Sequence, residues 1–263
     1  MKTNSSKSAL IICLVLMLML SACGASAPAA TSTLTATVTS TIVPTFTATL
    51  TLTPTKTPLP TATPNLAATQ QYEDFFAVVQ KIHAAGQIPN TDGRYLELDD
   101  YTDEVANKLS YEYADTDVSA KNFIVLGDFE WNNAINTTNI SGCGFVYRVQ
   151  PNMDHYLIVL DAFSGVKLAS STDRGTYSMG SPQNGDEKIS DFGSDPYRAT
   201  FTLVVNDLKS YVYVNDVYQG EYKLLDYRIT DSGLLSGAVL SATSEGYGTR
   251  CKITNMQAWI IDP

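Results

Sequence analysis

The chain has 263 residues and carries 27 acidic against 17 basic side chains, a formal net charge of −10. That balance argues against nucleic acid as a ligand, because phosphate binding needs clustered Lys and Arg. With 44% hydrophobic residues the chain can bury a core, and four cysteines are too few for a disulfide-dense scaffold.

In chain order, residues 1–22 come first. Lys2 and Lys7 precede an uncharged apolar run over 9–20, which is too short for a stable transmembrane helix and has the layout of a signal peptide. The run closes on Leu20-Ser21-Ala22-Cys23, which resembles the lipobox of bacterial lipoproteins. The resemblance implies cleavage before Cys23 and diacylation of its sulfur. The mature chain is then held on the extracytoplasmic side of a cell membrane, since two acyl chains anchor stably where one does not. An ordinary secretory signal with an incidental Cys23 is the alternative. Removing 1–22 leaves 15 basic against 27 acidic residues, a net charge of −12.

Residues 23–64 read as a linker. Threonine stands at every odd position from Thr31 to Thr57 except Val43, prolines become dense after Pro54, and Lys56 is the one charge. Such a tract has no periodicity from which to build a core. Its prolines and β-branched threonines favour extended backbone of about 3 Å per residue. Compositionally it is also a candidate for O-glycosylation. Over 65–87, Tyr72, Phe75, Phe76, Val79 and Ile82 fall on one helical stripe that Gly86 ends. The expectation is an amphipathic helix of about five turns packed on the following domain. A partner-binding helix is the alternative.

Residues 88–263 change to short β-rich runs, at 123–131, 144–149, 156–160, 200–206, 211–215, 237–242 and 251–261. With no helical period among them, they predict an all-β antiparallel sandwich or barrel in one domain. Alternation puts Phe123, Val125, Gly127, Phe129 and Trp131 on one face and Ile124, Leu126, Asp128 and Glu130 on the other. Cys13 leaves with the signal segment and Cys23 takes the lipid, so Cys143 and Cys251 remain. In an oxidising compartment they are expected to pair as a disulfide. The alternative is two small buried thiols. No CxxC or HxH spacing suggests a metal site.

Four segments carry a resemblance to the concanavalin A-like jelly rolls, which include laminin G-like modules. They are Ser141-Gly142-Cys143-Gly144-Phe145-Val146-Tyr147-Arg148, Asp154-His155-Tyr156-Leu157-Ile158-Val159-Leu160-Asp161, the pair 202–205 and 211–216, and the closing pair 237–240 and 251–259. The resemblance implies a two-sheet antiparallel sandwich. It implies no single activity, because members of the family bind glycans, bind proteins, hydrolyse polysaccharides or serve as structural modules.

The glucanase branch of the family uses an E-x-D-x-(x)-E strand, and the nearest string here, Glu97-Leu98-Asp99, is followed by Tyr101 and Thr102 instead of a second glutamate. Asp128 and Glu130 share a strand face and are a weaker dyad candidate, with a solubilising role as the plainer reading. Calcium between loops would draw on Asp115, Asp117, Asp226 and Asp231, without a continuous ligand motif to support it. The expected function is therefore a non-catalytic, membrane-anchored module that binds a glycan, with a protein partner or a structural role as the alternative and a glycosidase-related enzyme as the second. Tyr147, Tyr156, Tyr211, Tyr213, Tyr218, Tyr222, Tyr227 and Tyr247 supply aromatic faces for sugar rings. The favoured contacts are Tyr147, Arg148, Asp154, His155 and Tyr156, which combine ring, guanidinium and carboxylate in one presumed hairpin. Adjacent Tyr147 and Arg148 should point to opposite faces unless a bulge intervenes. In the plainer alternative Tyr147 packs inside and Arg148 pairs with an acid such as Glu130.

Overall fold

A computed structural model describes residues 66–135, 139–186, 189, 192–224 and 227–261. Residues 1–22, expected to be a signal segment, Cys23, the Thr/Pro tract, Asn65 and Asp226 lie outside the described residues. Among the described residues one helix, α1 (Leu66–Ala84), precedes fifteen strands. These are β1 (Gly93–Glu97), β2 (Tyr101–Val105), β3 (Ser110–Tyr113), β4 (Ser119–Ala120), β5 (Phe123–Asn133), β6 (Gly142–Val149), β7 (His155–Asp161), β8 (Gly165–Thr172), β9 (Gly175–Gly180), β10 (Gln183–Asn184), β11 (Tyr197–Asn206), β12 (Lys209–Val214), β13 (Val217–Lys223), β14 (Gly233–Ser241) and β15 (Thr249–Ile261).

The strands form two antiparallel sheets. One runs β1-β15-β5-β11-β12-β13-β10, with β2 also on β15, and the other runs β3-β14-β6-β7-β8-β9, with β4 also on β14. The chain crosses between them after β2, β4, β5, β9, β13 and β14, the jelly-roll sandwich anticipated from the strand pattern. Alternation is the physical cause. Phe123, Val125, Phe129 and Trp131 of β5 enter the core between the sheets with Phe145, Tyr147, Ile158, Phe201 and Leu203, while Ile124 joins a separate cluster outside it. The hairpin between β12 and β13 closes on Asn215 and Asp216, both with positive φ (48° and 64°), as a two-residue turn with the right-handed twist requires.

Cys143 on β6 and Cys251 on β15 are joined by a disulfide, so the staple links the two sheets across a sequence separation of 108 residues. Helix α1 lies on the outer face of the larger sheet. Phe75, Val79 and Ile82 are buried there against Ile124, Val204, Tyr211, Tyr213, Trp259 and Ile261, worth roughly 1.5–3 kcal/mol per side chain. The helix ends in a Schellman motif. The Gln87 amide donates to the Ile82 carbonyl and the Gly86 amide to that of His83, with Gly86 at φ 72°, a conformation that L residues rarely adopt. Tyr72, the first member of the expected stripe, remains 40% exposed. Among the described residues no helix is long and apolar enough to cross a membrane.

Candidate functional site

The five residues favoured from sequence come together, but inside the protein. Tyr147, Arg148, Asp154, His155 and Tyr156 are each at most 2% exposed, so they offer no open face to a ligand, and their roles are structural. Tyr147 and Tyr156 stack with centroids 5.3 Å apart, and the Tyr147 hydroxyl pairs with Ser210 Oγ at 3.0 Å on the opposite sheet. Its ionisation is pushed well up by burial. The strict alternation of β6 fails because β6 carries one extra residue opposite the step from Leu234 to Ser236. Arg148, in that bulge with φ 53°, turns inward as well.

Arg148 does not pair with Glu130. Its guanidinium donates to the carbonyls of Lys121 (3.0 and 2.9 Å), Asp207 (2.7 Å) and Ile229 (3.4 Å), tying three loops at one end of the sandwich. Arg198 is the partner of Glu130, at 2.7 Å. Asp154 accepts from the Asp173 amide and from Asn152 Nδ2, which makes it a turn brace. His155 Nδ1 lies 2.7 Å from the Met153 carbonyl and Nε2 lies 2.8 Å from the Tyr111 hydroxyl. The Met153 carbonyl can only accept, so Nδ1 donates, and in the neutral ring Nε2 is then the acceptor. Burial lowers its pKa below the ordinary histidine value.

The proposed dyad is likewise engaged. Asp128 accepts from Thr200 Oγ1 (2.9 Å) and Asn255 Nδ2 (2.8 Å). Strand register places both acids in a polar half-face of the larger sheet. One row there runs Thr102, Lys252, Glu130, Arg198 across β2, β15, β5 and β11. Asp115 and Asp117 rim a cleft of about 570 Å³ with Glu97, Asp99 and Asp100. Among the described residues no group of three or more His, Cys, Asp and Glu side chains could hold a metal ion.

A groove rich in tyrosine lies where the C-terminal end of α1 meets the β12–β13 hairpin. It has a volume of about 740 Å³ and is lined by Lys81, Gln87, Asp186, Tyr211, Tyr213, Asp216, Tyr218 and Glu221, among others. Tyr211 and Tyr213 share one face of β12 by strand parity, and the Tyr213 and Tyr218 rings meet at 5.2 Å. Gln87 fixes the wall. Its Oε1 accepts from the Tyr213 hydroxyl at 2.7 Å and its backbone carbonyl accepts from Asn206 Nδ2 at 2.9 Å. Lys209 holds Glu221 at 2.9 Å. Burial, then the nearby Glu221, the two other tyrosines and Asp186, push the Tyr218 hydroxyl up to about 12. Of these residues the sequence reading singled out the tyrosines. Lys81, Gln87 and Asp186 escaped it because they lie far away along the chain.

The fold defines a jelly-roll β-sandwich with an N-terminal helix. Among solved structures the chain is similar to the carbohydrate-binding module CBM66 from Bacillus subtilis (9% identity, 62% of this chain and 94% of that one, TM-score 0.43). It is also similar to sheep galectin-11 (8%, 58% and 98%, TM-score 0.33). A third likeness is to a fructosyltransferase from A. japonicus (15%, 64% of this chain, TM-score 0.40), of which it spans 26%. No family model matches the chain, and no curated protein matches it in sequence.

Proposed function

We propose that the protein is a lipid-anchored extracytoplasmic module that binds a glycan, without catalysis, in the groove between α1 and the β12–β13 hairpin. The observation that carries the reading is the composition of that groove. Three tyrosines, the Gln87 amide and the carboxylates of Asp186, Asp216 and Glu221 converge on one depression, which is the pairing of ring faces with fixed polar groups that sugars need. The anchoring part rests on sequence, on Lys2, Lys7, the apolar run and Leu20-Ser21-Ala22-Cys23. The Thr/Pro tract supports it as a spacer, and an acidic domain gains from distance to anionic headgroups. Asp128 and Glu130 are held by Thr200, Asn255 and Arg198, which fits a surface network better than an acid/base pair.

A glycan array with the full chain tests the binding half. Binding that is lost in Tyr218→Ala with folding intact is the expected result. Binding unchanged in both Tyr218→Ala and Gln87→Ala would remove the groove from consideration. For the anchor, Cys23→Ser should give unprocessed or soluble protein, and detergent partition at mature mobility would contradict the lipoprotein reading.

A further inference from the structure

One lysine that lines the groove and one beside it place ammonium groups near its rings. Lys81 Nζ lies 5.9 Å from the centroid of Tyr213 and Lys209 Nζ lies 5.7 Å from that of Tyr211. Ring faces attract cations through their quadrupole, so the free protein displays the chemistry these two faces accept. The two lysines differ in how firmly they are held. Lys209 is fixed by Glu221 at 2.9 Å, whereas Lys81 is on the exposed side of α1 and makes no ion pair among the described residues. Asp186 and Asp216 also line the groove and have no ion pair among the described residues. Lys81 Nζ therefore lies near the Tyr213 ring without an ion pair among the described residues, in a groove that Asp186 and Asp216 also line.

We infer that this groove selects glycans bearing a free ammonium, amino sugars without the N-acetyl group, over N-acetylated or neutral ones, with the ligand ammonium replacing Lys81 over Tyr213. The inference rests on the proposal that the groove binds a glycan. The ligand cation gains the ring face and the Asp186 carboxylate, while the sugar ring packs on Tyr218. A net charge of −10 over the whole chain favours approach of a cationic ligand and disfavours an anionic one.

The test titrates the full chain in detergent with glucosamine tetrasaccharide and with its N-acetylated counterpart, at low and high salt. The expected preference for the glucosamine form is about tenfold at low salt and shrinks as salt rises. Asp186→Asn should weaken glucosamine binding about threefold to tenfold. Lys81→Gln should tighten it about threefold, because the competing cation is gone; a merely structural Lys81 would not give that sign. Equal affinity for the two tetrasaccharides, or no response to both Lys81→Gln and Asp186→Asn, overturns the inference. If both sugars bind alike and both are lost in Tyr218→Ala, the groove reading stands while the ammonium selectivity falls. Glucosamine binding that is salt-sensitive yet intact in Tyr218→Ala is diffuse attraction to an acidic protein and overturns both. Binding of neither tetrasaccharide overturns the selectivity and leaves the groove to the array.

Discussion

Replacing Arg148 by methionine should destabilise the protein by about 3 kcal/mol, and the estimate follows from what the guanidinium touches. The side chain is completely buried and satisfies three carbonyls from separate loops, those of Lys121, Asp207 and Ile229. Methionine preserves most of the volume but donates nothing, and each buried carbonyl left without a partner costs about 1–3 kcal/mol. Two terms pull the total below the sum. Lys121 and Asp207 are in exposed turns, where water can replace the lost donor, and removing a buried charge relieves its desolvation. Arg148→Lys keeps the charge but cannot span three loops, so it should fall between wild type and Arg148→Met. Urea unfolding with the disulfide intact reads the difference in midpoint at constant m-value. A loss below about 1 kcal/mol for Arg148→Met, or equal losses for the two variants, would refute the view that geometry rather than charge makes this residue a tie between loops.

Thiol labelling of the unreduced protein should modify neither Cys143 nor Cys251, and the double alanine variant should lose up to about 4–5 kcal/mol, the entropy of a closed loop of this length; ready labelling without denaturant would contradict the pairing. His155 carries a pH dependence of defined sign. Its folded pKa lies below the ordinary value of 6.5 through burial, so its contribution is complete above pH 6.5 and is lost as pH falls from there towards the folded pKa. The stability gap between wild type and His155→Gln should therefore narrow from pH 7.5 to pH 5, and a constant gap would show that the ring's neutrality is irrelevant. Phe75→Ala should cost about 3 kcal/mol and expose α1 to limited proteolysis before the sandwich opens, since Phe75 packs only in the cluster under the helix; unchanged protection of α1 would show that the docked stripe does not hold it.

Local pattern was enough for much of the architecture. The alternation of residues 123–131 assigned inward and outward faces correctly, because side-chain direction in a strand is a property of the backbone itself. Asn215 and Asp216 are residue types that the φ values of a tight hairpin favour. The stripe of Phe75, Val79 and Ile82 announced a docked helix, and the count of cysteines announced the disulfide, though not that it would join the two sheets. Short strands such as β1, β3 and β9 were missed, because four to six residues of mixed polarity carry little period of their own and are held by their neighbours' ladders.

The site was a different matter. Tyr147, Arg148 and His155 look like surface recognition residues when read along the chain, and nothing local reports that a bulge turns Arg148 inward or that Tyr111, 44 residues away, caps His155. Burial is set by what lies across the sheet and above it, which is information held by strand order and not by any one strand. The groove shows the same limit from the other side. Lys81 comes from the helix, Gln87 from the turn that ends it, Asp186 from the turn after β10 and the tyrosines from β12 and β13. Their common position exists only once α1 docks on the sheet and β10 pairs with β13. The sequence by itself determined which residues of a strand share a face and where the chain would turn; the tertiary structure alone decided which faces are buried and which polar residues share a wall, because packing distant segments together is the step that periodicity cannot encode.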